Sequence, residues 1–198
     1  MSSHGQQKYQ VRFDHGVAGA ARVAPGAHVV VVVDVLDGHG TLSRDETVRA
    51  VAELTDVARD ADLVLVTAAD AAADVARHVV ERQARRGDRA LVAIVAAGAV
   101  EPDGFRPAVE DQLAAGTVVD ALAAVGIDFS SPEAAAACAA AVALRRASSH
   151  LLTASASAAE LVATDRGNVV DAARASSSDG GVAVVVRAGS VEESTLPA

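Results

Sequence analysis

The sequence predicts an α/β fold in which helices cover both faces of a largely parallel or mixed sheet, a three-layer α/β/α arrangement. The first observation is a run of five valines at residues 29–33. β-Branched side chains favour strands, and a continuous apolar run is typical of a strand that is covered on both faces. The second observation is that such apolar runs alternate along the chain with helical, alanine-rich segments.

The length of 198 residues is enough for one domain with a sizeable core, or for two similar, intimately packed halves. We expect a single domain at residues 9–189, with flexible termini at residues 1–8 and 190–198. The alanine-rich helices would also suit the interface of a homodimer.

The composition excludes several classes of partner. The formal net charge is -9, so the chain lacks the basic surface expected of a nucleic-acid-binding protein. Aromatic residues make up only 2% of the chain, which leaves few side chains on which bases could stack. No apolar run approaches the roughly 20 residues of a membrane span. The polar N-terminus and the single Cys138 indicate a cytoplasmic protein without an intrachain disulfide.

The strands are predicted from apolar or alternating segments that are bounded by turn residues. The alternation of apolar and polar side chains at residues 9–14 is typical of an edge strand. The predicted strands span residues 9–14, 29–33, 62–67, 89–96, 149–153 and 182–187. A turn-rich loop is expected at residues 101–107, and a flexible polar loop at residues 176–181.

Several helices are predicted from their capping residues. Ser43 and Glu46 form a capping box, and Gly87 suits the end of a helix. Ser131 is followed by a proline at the first helical position and an acid in the first turn, which together indicate a helix start. The predicted helices span residues 18–24, 43–59, 70–86, 107–126, 131–146, 157–167 and 169–174.

Two of these helices carry further expectations. The helix at residues 107–126 begins with Pro107 in its first turn. Its apolar spacing should turn five side chains inward, those of Val109, Leu113, Val118, Leu122 and Val125. Ser157 is expected to cap the helix predicted at residues 157–167 as part of a second capping box, and Gly167 is expected to end that helix.

Asp34 follows the valine strand directly, and open α/β sheets bind ligands beyond the carboxyl ends of their strands. It is a candidate site residue, or a carboxylate that caps a nearby helix. Asp37 and His39 in the following loop could complete such a site as ligands or substrate contacts, since carboxylate and imidazole are common ligands. Alternatively, they form a solvated turn beside an exposed histidine.

A second group of candidates lies near residue 110. Glu110 is a candidate ligand or base, and Arg106 could hold a phosphate or pair with a neighbouring acid. Glu110 and Asp111 are adjacent, so on a helix their side chains point about 100° apart. Both also lie in a first turn, where acids oppose the helix dipole favourably. Cys138 lies in an alanine-rich helix and is expected to be a small core residue.

Four stretches, in this order, carry a resemblance. Their positions are residues 9–19, 33–36, 97–116 and 157–171. The second reads V-D-V-L, and the third reads A-G followed by R-P-A-V-E-D and a second A-G. Together they resemble the 2-phosphosulfolactate phosphatase family.

The resemblance implies an Mg²⁺-dependent phosphatase that hydrolyses a small acidic organic phosphate of the 2-phosphosulfolactate type to the alcohol and phosphate. By the same resemblance, Asp34 and Glu110 would be catalytic, and Asp34, Glu110 and Asp111 would hold Mg²⁺. Arg106 would then neutralise the phosphoryl group. Mg²⁺ prefers such hard oxygen ligands, and phosphoryl transfer requires neutralisation of charge.

The chain departs from the family pattern at several positions. Asp37 stands where the family has Arg or Ser, and Ala158 and Ala159 stand where it has Gly and Arg. The alternative is therefore a non-catalytic binding or regulatory protein that kept the fold and lost the active site.

Overall fold

The computed structural model describes residues 5–55, 60–176 and 183–189. The strands are β1 (Val11–His15), β2 (Val29–Val33), β3 (Asp62–Val66), β4 (Val92–Ala96), β5 (Ala99–Glu101), β6 (Gly104–Arg106) and β7 (Val184–Arg187). The helices are α1 (Gly16–Val23), α2 (Arg44–Thr55), α3 (Ala72–Arg86), α4 (Val109–Ala124), α5 (Pro132–Leu144), α6 (Ser148–Thr153), α7 (Ala156–Ala163) and α8 (Gly167–Ser176). None of the helices in the described part of the chain combines the length and the apolar character needed to cross a membrane.

The valine strand β2 lies in the middle of a five-stranded sheet with the order β1-β4-β2-β3-β7. It pairs in parallel with β3 and β4, so that Val31 lies opposite both Val64 and Ile94. β1 is a parallel edge strand beside β4, whereas β7 runs antiparallel to β3 at the other edge. The predictions of a central valine strand and a largely parallel sheet are therefore confirmed.

The side chains of β2 divide between two apolar clusters, because successive residues of a strand point to opposite faces. Val30 and Val32 pack in one cluster with residues of α1 and α2. Val29, Val31 and Val33 pack in the other, with residues of α3, α4 and α5. Helices thus cover both faces of the sheet, and the predicted three-layer arrangement is confirmed.

Helices α4 and α5 pack closely because small residues face each other. A Cβ atom at Gly116 would lie 2.1 Å from the carbonyl oxygen of Ala137, so only glycine fits there. The predicted start of α5 is confirmed: Pro132 is the first helical residue, and the Ser131 hydroxyl accepts the Ala134 N–H at 3.1 Å.

The strand predicted at residues 149–153 is wrong, since this segment lies in helix α6. It follows α5 through a 3₁₀ turn at Arg145–Ala147, and Leu152 is its only buried residue. A short apolar run of this kind does not distinguish a strand from a helix by periodicity.

The expected boundaries of helix α7 are also wrong. Ser155, rather than Ser157, caps it by accepting the Ala158 N–H at 3.1 Å, and Ser157 lies buried inside the helix. Gly167 begins α8 instead of ending α7. Between the two helices, Asp165 adopts a positive φ of 58°, which an α-helix does not allow. Helix α7 therefore ends earlier than predicted.

The loop predicted at residues 101–107 contains a turn, but it is part of the antiparallel hairpin of β5 and β6. Pro107 precedes the cap of α4 instead of lying in its first turn. Val109 and Val125, expected to point inward, are 39% and 48% exposed because they lie at the two ends of α4.

Parts of five predictions lie outside the described residues. They are the end of the helix at residues 43–59, most of the loop at residues 176–181, the first residue of the strand at residues 182–187, and the flexible termini at residues 1–4 and 190–198.

Candidate functional site

Asp34 lies at the carboxyl end of β2 and is 6% exposed. Its backbone N–H donates to the carbonyl of Val66 at 2.9 Å, which fixes it beside the end of β3. Arg44 donates to the Asp34 carbonyl oxygen at 3.0 Å and lies 3.5 Å from Oδ1 of its carboxylate. Burial raises the pKa of Asp34 to about 7, and Arg44 partly offsets this effect. The charged form of Asp34 is therefore disfavoured unless further positive charge lies close by.

Asp111 is completely buried in the first turn of α4. Its Oδ1 accepts the N–H of Val35 at 2.8 Å, and its Oδ2 accepts the N–H of Gly98 at 2.9 Å. Asp111 thereby joins α4 to the chain segments that follow β2 and β4. Burial and the nearby charges of Asp34 and Glu110 raise the pKa of Asp111 well above its ordinary value.

Glu110 is 5% exposed, and neither of its carboxylate oxygens has a hydrogen-bond partner. Nε2 of His39 lies 4.0 Å from Oε1 of Glu110. His39 is itself buried, and its Nδ1 also lacks a partner. Burial lowers the pKa of His39, and the charge of Glu110 opposes this effect. Two polar side chains are thus buried together without satisfying each other.

The expectation of an exposed histidine in a solvated turn is therefore wrong. The loop is held down by residues that follow far later in the sequence. Glu160 accepts the N–H of Gly40 at 2.8 Å, and Arg166 donates to the carbonyl of Gly38 at 2.6 Å. These contacts fix the loop on both sides of His39 and bury its ring.

Arg106 and Asp37 both have partners within the protein. Arg106 donates to Glu101 and also lies 3.4 Å from the Ser157 hydroxyl and 3.5 Å from a Glu160 oxygen. The alternative expectation, that Arg106 pairs with a neighbouring acid, is thus confirmed. Asp37 accepts the backbone N–H of Arg44 at 2.9 Å and so satisfies an amide in the first turn of α2.

Two residues of the site escaped the sequence analysis. Arg44 pairs with Asp34, and Glu160 holds both Arg106 and Gly40. The sequence did carry a signal for Arg44. A cation in the first turn of a helix is repelled by the positive end of the helix dipole, which suggests that a nearby acid stabilises it. Glu160 had only its place in an expected capping box, and that box does not form.

The predicted Mg²⁺ ligands lie close enough for their charges to act on one another. Both oxygens of Asp111 accept backbone N–H groups, whereas those of Glu110 have no partner. Across the described residues, no three His, Cys, Asp or Glu side chains converge as a metal-binding group. Mg²⁺ is often held by one or two carboxylates together with waters and substrate phosphate oxygens. Asp34 and Glu110 fit that donor set.

No model of a known protein family matches this chain, and no curated protein matches it either. The resemblance to the 2-phosphosulfolactate phosphatase family therefore stays a prediction from its motifs. Cys138, the single cysteine, is partly buried and packs against the larger apolar cluster, with its Sγ 4.0 Å from Asp120.

Proposed function

We propose that this protein hydrolyses the phosphate monoester of a small organic acid in an Mg²⁺-dependent reaction and releases the alcohol and phosphate. One observation supports the proposal most strongly: three of the stretches that resemble the phosphatase family meet at the carboxyl end of β2. Asp111 of the third stretch binds the amide of Val35 in the second. Arg106 of the third stretch contacts Ser157 and Glu160 of the fourth.

The reaction forms a bond between a water oxygen and phosphorus and breaks the bond between phosphorus and the alcohol oxygen. One proton of the water ends on the alcohol. Asp34 and Glu110 would hold Mg²⁺, which when bound neutralises the charge of the phosphoryl oxygens. Arg106 would turn from Glu160 and donate to the phosphoryl group. Its guanidinium carries five donors, so it could keep its contact with Glu101 at the same time. Asp111 would keep the end of β2 and the start of α4 in place.

The test is the release of phosphate from a panel of small phosphate esters, measured in Mg²⁺ and in a chelator. We expect turnover only with Mg²⁺, and a loss of at least about 100-fold in Asp34→Ala and in Glu110→Gln. Asp88→Asn is a matched control, because Asp88 is exposed and precedes β4 at the opposite end of the sheet. Release without dependence on Mg²⁺, or an undiminished rate in Asp34→Ala, would contradict the proposal.

Metal binding can also be measured without turnover. A cation that binds the folded chain raises its melting temperature by mass action. We therefore expect Mg²⁺ to raise the melting temperature of the wild-type chain and of Asp88→Asn, but not that of Asp34→Ala or Glu110→Gln.

A second candidate function is the binding of a small phosphorylated acid without catalysis. It is favoured by the fact that both Arg44 and Arg106 already pair with acids of this chain. In that case, phosphate esters would raise the melting temperature but would not be hydrolysed, with or without Mg²⁺. The alternative fails if turnover is seen and disappears in Asp34→Ala.

A further inference from the structure

A cavity of about 300 Å³ lies between α4, α5, α6 and α8. Its volume is at the lower end of the range of about 300–1,000 Å³ that is typical of ligand pockets. Its walls are mostly apolar, with Val35, Leu113 and Leu152 among them. The polar side chains of the lining include those of Asp70, Glu110, Thr117, Arg145 and Arg174. A ligand in this cavity would therefore combine apolar and polar groups.

Helix α4 forms one wall of the cavity. Glu110, Leu113, Ala114 and Thr117 line it and form one stripe of the helix, at the spacing i, i+3, i+4 and i+7. At 1.5 Å per residue, this stripe is about 10 Å long. Arg145 also lines the cavity, and its pairing with Asp120 at 2.7 Å places it beyond the Thr117 end. Glu110 and Arg145 therefore lie at opposite ends.

The two ends of the cavity offer different chemistry. At the inner end, the buried Glu110 carboxylate lacks a donor, and a ligand hydroxyl that donated to it would remove the cost of leaving it unsatisfied. At the outer end, the Arg145 side chain is 64% exposed. A guanidinium has five donors, so Arg145 can bind a ligand carboxylate while it keeps Asp120.

We infer that this cavity holds the organic part of the substrate, and that the substrate is the phosphate ester of a medium-chain hydroxy acid with the oxygen and the carboxylate at opposite ends. The chain would lie along Leu113 and the carboxylate at Arg145. The hydroxyl of the free acid would donate to Glu110. The ester has no hydroxyl at that end, so its phosphoryl group would instead lie beside Asp34 and Glu110, where Mg²⁺ would be held. The ester rests on the proposed function, whereas binding of the free hydroxy acid does not require catalysis.

The first test measures the affinity of 6-hydroxyhexanoate by titration calorimetry, with hexanoate and 1-hexanol as comparisons. We expect hexanoate and hexanol each to bind about tenfold more weakly or worse, because each lacks one of the two hydrogen-bonded ends. Arg145→Gln should weaken the binding of 6-hydroxyhexanoate by a similar factor and leave the affinity for 1-hexanol unchanged. Arg146→Gln is the matched control, since Arg146 is the exposed neighbour and does not line the cavity.

The second test fills the cavity. Thr117 is half-buried and lies between the two ends, so Thr117→Leu should block the ligand without disturbing the core. We expect this variant to unfold cooperatively and to bind no 6-hydroxyhexanoate. The inference is overturned if the wild-type chain does not bind the hydroxy acid, or if Arg145→Gln and Arg146→Gln bind it equally well.

The inference and the proposed function can fail separately. Phosphate release is measured from 6-phosphooxyhexanoate and from phosphoglycolate, which has no chain to fill the cavity. We expect kcat/KM to be at least about tenfold higher for the longer ester. Equal kcat/KM values for the two esters, without binding of the hydroxy acid, would overturn the inference about the cavity. The proposed phosphatase activity would still stand. Binding that depends on Arg145 without any phosphate release would support the cavity and overturn the phosphatase.

Discussion

Glu110 and Asp111 are neighbours in the first turn of α4, but their carboxylates have different surroundings. Asp111 points to the ends of β2 and β4 and accepts two backbone N–H groups. Glu110 points about 100° away, as adjacent residues of a helix do, and lines the cavity without a hydrogen-bond partner. The pair therefore combines a residue that holds the site together with a residue that is available to a ligand.

The first prediction concerns Asp34 and pH. Its pKa is about 7 in the folded chain and lies near its ordinary value of 3.8 in the unfolded chain, so the folded state binds the proton more tightly. The resulting stabilisation is fully present below about pH 4 and is lost as the pH rises through about 7. Urea unfolding should show the wild-type chain losing stability relative to Asp34→Asn between about pH 4 and pH 7, by an amount of order a few kcal/mol.

The control for this experiment is Asp45→Asn, since Asp45 is exposed in the first turn of α2. Its pH profile should follow that of the wild-type chain. Identical pH profiles for the wild-type chain and Asp34→Asn would show that Asp34 does not titrate near neutral pH.

At the scale of the element, helix α4 serves three purposes along its length. Its first turn carries Glu110 and Asp111, and its next two turns line the cavity. Gly116 lies on a different side of the helix, against Ala137 of α5. The close approach of α5 at Gly116 therefore helps to fix the position of the helix that carries the site.

The second prediction is that Gly116→Ala destabilises the protein even though alanine favours helices more than glycine does. The added Cβ would lie 2.1 Å from a backbone oxygen of Ala137, so α4 and α5 must move apart. Overpacking of this kind costs about 1–3 kcal/mol, which urea unfolding can resolve.

The matched control is Gly167→Ala at the start of α8. There the closest atom to an added Cβ is 3.6 Å away, which is ordinary van der Waals contact. We expect no loss of stability in this variant, and a gain of up to about 1 kcal/mol from helix propensity. Equal effects of the two substitutions would mean that α4 and α5 do not pack as closely as described.

At the scale of the whole molecule, Asp111 connects parts of the chain that are far apart in the sequence. It joins the end of β2, the segment after β4 and the start of α4. These parts belong to the middle of the sheet and to the helical layer on one of its faces. The geometry of the candidate site therefore depends on contacts between layers.

The third prediction is that Asp111→Ala destabilises the protein more than Asp111→Asn. The alanine variant leaves the N–H groups of Val35 and Gly98 without an acceptor, and each costs about 1–3 kcal/mol when buried. The asparagine variant keeps one acceptor oxygen. Glu133→Ala, an exposed acid in the first turn of α5, should cost less than about 1 kcal/mol. A similar loss in Asp111→Ala and Glu133→Ala in urea unfolding would contradict the connecting role.

The fold class followed from local properties of the sequence. Five β-branched valines in succession predict a buried strand, and the structure places that strand in the middle of the sheet. The start of α5 was predicted for the same reason, because Ser131 and Pro132 act on the first turn that they begin. The position of Asp34 at the carboxyl end of β2 follows directly from the strand.

The tertiary structure alone decided the surroundings of the candidate residues. His39 is buried because Glu160 and Arg166, more than a hundred residues later, hold its loop. The segment at residues 149–153 is a helix because it packs beside α4 and α8 instead of joining the sheet. The cavity between Glu110 and Arg145 likewise has walls from four helices. The sequence by itself determined the strand and the acid at its end, since those depend on neighbouring residues. Packing between distant segments decided which acids have partners and which face a cavity.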